Sequence, residues 1–384
     1  MSDIYLDNNA TTALDERVLD AMLPVLRHVG NPSSAHAAGE AARNWVEDAR
    51  RQVAGLLDAS PREIVFTSGS TEANNLALQG LLRGADPRRR RIVSLTTEHP
   101  AILETLRALE AQGAEVVLVP VDRVGIVDLQ QLSDAVDDET LLVTVMAANN
   151  ETGVLAPLPQ IAEVAHAHGA FLHTDATQLL VWGSVDVDQL GVDLLSLSGH
   201  KMHGPQGIGV LYVHRDCIRR LAPVQHGGGH ESGIRSGTLN TAGIVGLGAA
   251  AAIATTDGPA AARKVRALRD QLYRKLEGSA VPVILNGHPV ERLPGTLNVS
   301  FPGADADAVM AGAPLVAVAT GSACSTGHPG PSHVLMAMGI DAEQAACSLR
   351  FGLSRFTTEE EVATAAAMIS ASVTRVRRML TEVA

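Results

Sequence analysis

An amine at Lys201, a carboxylate at Asp175 and a thiol at Cys324 are the side chains best suited to covalent and proton chemistry in this sequence. Lysine is scarce: of 30 basic side chains only Lys201, Lys264 and Lys275 are lysine, and arginine supplies the other 27. A primary amine condenses with an aldehyde, whereas a guanidinium does not. Lys264 and Lys275 lie in Arg-rich helical text (ARKVRALRDQLYRKLEG) and read as solvated charges. Lys201 instead follows the run VDLLSL at 192–197 and sits in a Gly/Pro-rich turn, SGHKMHGP, at 198–205. A lysine at a strand end is by default a surface residue with its stem laid along the protein. The scarcity and the flanks point here to a lysine that binds pyridoxal 5'-phosphate (PLP).

Other polar clusters follow apolar runs in the same way. TSGSTEAN (67–74) opens a helix after IVF. Its backbone N–H groups and the hydroxyls of Ser70 and Thr71 would bind an anion, or would serve as a plain N-cap. It is not a Walker loop, because no GK[ST] is present. His99, followed by Pro100, would stack on a planar ring or move a proton, though singly such a residue is more often an ordinary loop histidine. Asn149-Asn150-Glu151-Thr152-Gly153 suits a turn, and equally suits hydrogen bonds to a phenolic oxygen and a carboxylate. Asp175, in HTDATQ (173–178), would keep a pyridine nitrogen protonated and so make a bound ring an electron sink; the plainer reading is an Asp capping the next turn. Thr238 ends a glycine-rich loop, 227–238, and would donate to a phosphate. Cys324 lies in GSACSTGHPGP (321–331), among small residues, Gly and Pro. A thiol in an exposed loop becomes a nucleophile on ionising, from a free pKa near ~8.5. Cys217 and Cys347 read as bystanders. Together these signals compose a PLP site with an added thiol nucleophile.

Such clusters need a scaffold that gathers strand ends. Strand-like segments at 63–67, 92–95, 116–119, 141–146, 171–174, 194–197 and 208–213 alternate with helical patterns such as 72–82, 102–112 and 159–168. That alternation predicts an α/β fold with a mostly parallel sheet covered on both faces, its ligands outside the carboxyl ends of the strands. A Gly/Ala-rich helical stretch from 240 to about 277 leads to a smaller α+β region. Its expected strands are 282–285, 296–301, 316–318 and 349–353, and its helices 332–338 and 358–380. The expected division is 16–256 for a large PLP-binding domain, and 1–15 with 257–384 for a small domain carrying the Cys324 loop at about 320–331.

Composition narrows the classes. At 384 residues, 46% apolar and 19% charged, the chain reads as a globular protein. A net charge of −12 argues against a general nucleic-acid binder. The one basic run, Arg88 to Arg91, reads as a solvated loop, with a dock for an acidic partner as the less favoured alternative. No signal peptide is visible, and the longest apolar stretch, 244–254, is too short to span a bilayer, so no membrane is expected. Three widely separated cysteines fit a reducing cytoplasm. Neither CxxC nor HExxH occurs and the 14 histidines are scattered, so no metal site is expected.

Read end to end, the sequence resembles the long-loop group of cysteine desulfurases, in the class V aminotransferase family of fold type I PLP enzymes. The resemblance is carried, in order, by YLDNNATT, FTSGSTEANN, TEHPAIL, NNETG, HTDATQ, SGHKMHGPQGIG, RSGTLN, LPGTLNVSFPG, GSAC and LRFGLSRFTTEEE. It implies a large domain with a mostly parallel seven-stranded sheet plus a smaller α+β C-terminal domain. It implies that Lys201 holds PLP, that Asp175 pairs with the pyridine nitrogen, and that Gln178 and Asn150 pair with the ring oxygen. His99 would stack on the ring and assist proton transfer. Ser70, Thr71, Ser198 and His200 would hold the phosphate, with Thr238 reaching over from the second subunit of a homodimer. Arg350, with Asn150, would clamp the substrate carboxylate. Cys324 would take the sulfur of L-cysteine as a persulfide, leaving alanine. It would then hand the sulfur to an acceptor protein, an iron–sulfur scaffold or a tRNA-thiolation protein, and at the scaffold it would transiently contact an iron–sulfur cluster. Pro329-Gly330-Pro331, Gln206 and His230 depart from the family's usual residues.

Two rivals on the same fold are a selenocysteine lyase and a cysteine or cystine lyase, which would eliminate without Cys324. A transaminase would leave the thiol idle. A non-enzymatic alternative is a sulfur-carrier scaffold with a degenerate PLP site; the presence of Lys201, Asp175 and His99 weighs against it.

Overall fold

The computed structural model describes residues 3–279, 281–320 and 330–383. Its strands in chain order are β1 (Ile4–Tyr5), β2 (Ile64–Thr67), β3 (Arg91–Leu95), β4 (Glu115–Val119), β5 (Thr140–Thr144), β6 (Phe171–Asp175), β7 (Leu194–Ser198), β8 (Gly209–Val213), β9 (Ile284–Asn286), β10 (Thr296–Ser300), β11 (Val316–Ala317) and β12 (Ser348–Gly352). Strands β2 to β8 form one sheet in the order β2-β8-β7-β6-β5-β3-β4. Strand β8 is antiparallel to both neighbours, and every other pairing is parallel.

These strands read as unbroken apolar runs because both faces of the sheet are covered. Adjacent residues point to opposite faces. Ile92, Leu142, Leu194 and Leu211 pack with Leu78 and Leu106, from the helices Ser70–Gly84 and Pro100–Glu110. Val93, Val143, Leu195 and Val210 pack on the other side with Val46, Val53 and Leu247. All seven strands lie where the sequence places them, to within a few residues. The expected strand 141–146 stops at Thr144, and Met146 instead uses its N–H outside the ladder.

Two of the expected helices begin two residues early, at Ser70 and Pro100, and the third one residue early, at Leu158. Pro at the first helical position loses no hydrogen bond, and its fixed φ suits the helix. Ahead of β2, where no element was proposed, lie the helices Glu16–Leu26 and Ala37–Leu57. The second buries Ala42, Val46, Ala49, Val53 and Leu57, a three-and-four spacing typical of a helix packed on one face.

A second core is built from Ile4 and Leu6 with Leu272, Val299, Phe301, Phe351, Val362 and Ile369. It covers a three-stranded antiparallel sheet in the order β12-β10-β9, and β1 pairs in parallel with β11 beside it. The helix Thr241–Glu277 is shared between the cores: Ile244, Leu247, Ala250 and Ala254 belong to the first, and Val265, Leu268, Leu272 and Leu276 to the second. By length and composition alone this helix is long and apolar enough to cross a bilayer.

The basic run is not a solvated loop. Arg89 donates to the carbonyls of Thr140 and His168, Arg90 to those of Gly113 and Gln112, and Arg91 pairs with Glu115 and Asp137. Only Arg88 stays exposed, beside Asp86. A guanidinium's several donors let it tie strand ends to neighbouring loops, a use that charge counting does not anticipate.

Candidate functional site

The carboxyl ends of β3, β5, β6 and β7 converge, and Asp175 is the last residue of β6. They wall a cavity of about 300 Å3 lined by Ser70, Thr71, His99, Asn150, Asp175, Gln178, His200 and Lys201, together with Asn9, Ala10, Met146, Ala148 and Thr177. A second cavity of about 400 Å3 shares Ala10, Ser70, Thr71 and His200 with the first and adds Ser198 and Gln206. Eight of the residues expected at the site thus share one cavity, and Ser198 lines its neighbour.

The junction between the cavities is the start of the helix Ser70–Gly84. Gly69 holds φ at 155°, where a side chain would be strained, and among the described residues no side chain caps the helix. Its first N–H groups are therefore left for an external acceptor, and the positive end of the helix dipole faces the same way. Close packing from behind sets the turn: a Cβ on Gly209 would lie 2.6 Å from Gly69 Cα and 2.6 Å from the oxygen of Leu197. The neighbouring Glu72 is turned aside to Arg235, 2.7 Å away.

Lys201 is held by the chain's N-terminal segment. Its Nζ donates to the oxygens of Asn9 and Ala10. Gln178 also donates to the Asn9 oxygen, at 3.0 Å. Thr12 donates to the oxygen of His200 at 2.8 Å, and His200 Nδ1 lies 3.0 Å from the Thr11 hydroxyl. The run Asn9 to Thr12 entered the sequence reading only through resemblance. Its one intrinsic signal is a string of small polar residues between Leu6 and Leu14 that fits neither helix nor strand.

His99 caps the helix Pro100–Glu110, accepting the Ala101 N–H on Nδ1 at 3.0 Å. That bond leaves the proton of the neutral ring on Nε2. Burial keeps His99 below the usual histidine range, and the nearby Lys201 and His333 charges act the same way, against the pull of Asp175. Burial is also the main cause that lowers His200 to about 4, with Lys201 adding to it. The neighbour of His99, Glu98, is wholly buried and pushed well above the carboxylate range, first by desolvation. Its Oε1 accepts the Met146 N–H at 2.8 Å. Asn149 donates to the Thr97 oxygen at 3.1 Å, so the loops bearing His99 and Asn150 are stitched together.

Asp175 is buried, and each of its oxygens accepts a fixed donor: Asn74 Nδ2 at 2.7 Å and the Thr177 N–H at 3.0 Å. Among the described residues, Asn150 Oδ1 and Thr177 Oγ1 are buried with no hydrogen-bond partner. Unmet polar atoms in a cavity wall cost stability unless a ligand meets them.

Two expected residues stand apart. Thr238 is exposed and lines neither cavity. Arg350, on β12, is fully buried and lines neither cavity; it donates to the Asn150 oxygen at 3.1 Å and to Asp7 at 2.8 Å, with Nε unpartnered among the described residues. Cys324 and most of its loop lie outside the described residues. The loop's flanks are fastened nearby. Ala319 exchanges two main-chain hydrogen bonds with Arg350, and Ser332 donates to the buried Glu151. The other cysteines, Cys217 and Cys347, are buried, and burial raises the Cys217 thiol far above its ordinary range.

Residues 4–364 match the family model described as Aminotransferase class-V. The chain is 46% identical to a cysteine desulfurase IscS of Anaeromyxobacter sp. (strain Fw109-5), over 98% of this chain and 94% of that protein. It is 43% identical to a cysteine desulfurase of Rattus norvegicus, over 94% of this chain and 80% of that one. Among solved structures, a NifS-like protein superposes with a TM-score of 0.88 at 36% identity, covering 99% of both chains. A structure described as SspA in complex with cysteine gives 0.82 at 34% identity, covering 92% of this chain and 99% of the other.

Proposed function

The chain belongs to the class-V aminotransferase family, and on that premise we propose that it is a PLP-dependent L-cysteine desulfurase. It breaks the Cβ–S bond of L-cysteine, moves the sulfur atom onto the Cys324 thiolate as a persulfide, and returns a proton to carbon to leave L-alanine. One observation carries this reading: a single cavity gathers Lys201, Asp175 and His99 against an uncapped helix N-terminus.

The residues present fit PLP. The uncapped N–H groups and hydroxyls at Ser70 and Thr71, with Ser198 and His200, suit its phosphate, and Thr238, exposed on this chain, is left to serve a partner subunit's site. Lys201 supplies the amine for its aldehyde. Asp175 suits the ring nitrogen, the side-chain N–H groups of Gln178 and Asn150 suit the ring oxygen, and His99 suits the ring face. When bound, PLP supplies an electron sink for charge developing on the substrate carbon.

The protein's own groups do the rest. His99, with its proton on Nε2, is placed to move a proton at the cavity wall. The Arg350 Nε, without a partner among the described residues, and the side-chain N–H groups of Asn150 are suited to the substrate carboxylate. Lys201 can hold or release a proton once its amine is free.

A homodimer, a cytoplasmic location and an acceptor drawn from iron–sulfur scaffolds or tRNA-thiolation proteins complete the reading. The buried free thiols of Cys217 and Cys347 support a reducing compartment. The split of the helix Thr241–Glu277 between two cores supports domains of 16–256 and of 1–15 with 257–384.

The test is alanine release from L-cysteine in the presence of a reductant, wild type beside Cys324→Ala. Activity in the wild type and none in the variant is expected. Equal activity in both would replace desulfuration by elimination without a persulfide.

A further inference from the structure

We propose that Asn74 is a positioning residue for Asp175, fixing that carboxylate relative to the anion-binding end of the cavity. The inference rests on the PLP reading above. Asn74 lies one turn into the helix Ser70–Gly84, is 0% exposed, and donates from Nδ2 to Asp175 Oδ2 at 2.7 Å. Its own Oδ1 is buried without a partner among the described residues.

That combination is a poor choice for stability. A buried amide with its acceptor unmet is destabilising, and only the bond its Nδ2 makes to Asp175 offsets that cost. The helix neighbours that share this burial, Ala73, Leu76, Ala77 and Leu78, are all apolar. The amide serves the carboxylate and not the core.

With the Thr177 N–H on Oδ1 and Asn74 on Oδ2, Asp175 cannot turn about its side-chain bonds without losing a donor. Ser70 and Asn74 are four residues apart on one helix, a rigid offset of about 6 Å along its axis. The same helix thus sets both the anion end of the cavity and the carboxylate that would pair with a ring nitrogen.

The test uses full-length protein freed of cofactor and two probes: PLP, and its analogue in which the ring nitrogen is replaced by CH. Binding of each is titrated by absorbance for wild type, Asn74→Leu and Asn74→Ala, and thermal midpoints of the cofactor-free proteins are recorded. The wild type is expected to prefer PLP. Asn74→Leu should cut that preference by about tenfold, the worth of one hydrogen bond to a charged group, and lower the cofactor-free midpoint, because Asp175 Oδ2 loses its buried donor. In an Asp175→Asn background, Asn74→Leu should change the preference no further.

An unchanged preference in both Asn74 variants would overturn the proposal. So would equal weakening of both probes, which marks a purely structural residue. If the wild type bound neither probe, the PLP reading itself would fail, an outcome distinct from either.

Discussion

Lys201 donates from Nζ to the main-chain oxygen of Ala10, 2.9 Å away and 191 positions earlier in the chain. The amine that defines the site is therefore oriented by a segment from the far end of the sequence. That segment is anchored in turn by the bridge from Asp7 to Gly352 and by the pairing of β1 with β11.

Lys201→Arg keeps a cation but loses the primary amine. Turnover should fall below detection and the bound-cofactor absorption in the visible range should vanish, while the circular dichroism of the variant matches wild type. Residual alanine release above a few per cent of wild type would remove Lys201 from the chemistry.

Gly209→Ala tests the backing of the anion site. Its Cβ would meet Gly69 Cα and Leu197 O at 2.6 Å each, so the Gly69 turn must move. Overpacking of this kind costs about 1–3 kcal/mol. Both PLP affinity and thermal midpoint should drop; a loss of stability alone would uncouple the turn from phosphate binding.

Arg350→Lys should raise KM for L-cysteine with a smaller change in kcat, because a point charge replaces a planar fork. It also strips the second donor from the bridge between Asp7 and the Asn150 oxygen. Breaking a buried ion pair outright costs about 3–5 kcal/mol, and the conservative change should cost less than that. Steady-state kinetics beside urea unfolding separates the two effects, and an unchanged KM would take Arg350 out of substrate binding.

Three histidines, His173 and His203 buried and His200 half-buried, make stability depend on pH. Burial, the largest cause in each case, lowers His173, His200 and His203 to about 4, from an ordinary value of 6.5. As pH falls below 6.5 the unfolded chain takes up protons that the folded chain refuses until about pH 4. Stability present above pH 6.5 is therefore lost across that window, by up to about 1.4 kcal/mol per unit for His173 and for His203, and by less for His200, where solvent screens the charge. Glu98 acts in the opposite sense. Its raised value favours the fold below the ordinary carboxylate range, and that contribution fades as pH rises. Urea midpoints at pH 7 and pH 5 should differ less in His173→Gln than in wild type. His173 bridges Thr144 and Ser196 at 2.8 and 3.0 Å, which Gln can partly reproduce. Equal differences would show that His173 is not one of the titrating groups.

Glu231→Ala should loosen the loop that ends at Thr238. Glu231 accepts from Arg50 at 2.7 and 2.9 Å and from the Phe66 N–H at 2.8 Å, with only 2% of its side chain exposed. Removing it leaves a largely buried guanidinium with only the Ile64 oxygen and the half-exposed Glu47 as polar partners, a loss of about 3 kcal/mol. Faster proteolysis within 227–238 and a lower thermal midpoint are expected; an unaltered midpoint would make the pair dispensable.

The sequence alone determined the parts that local chemistry writes plainly. Seven apolar runs became seven strands, because a sheet buried on both faces demands unbroken hydrophobicity. Lys201 stood out through the near absence of other lysines, and Asp175 and His99 through their positions just past such runs. The tertiary structure decided which distant residues meet. Neither the oxygens of Asn9 and Ala10 on Lys201 nor Asn74 on Asp175, 101 positions away, has a local signature. Those contacts depend on the strand order β7-β6-β5-β3 and on how closely the helix Ser70–Gly84 seats against it. Periodicity records which face of an element is buried, but not which partner covers it; that choice emerges only when every element packs at once.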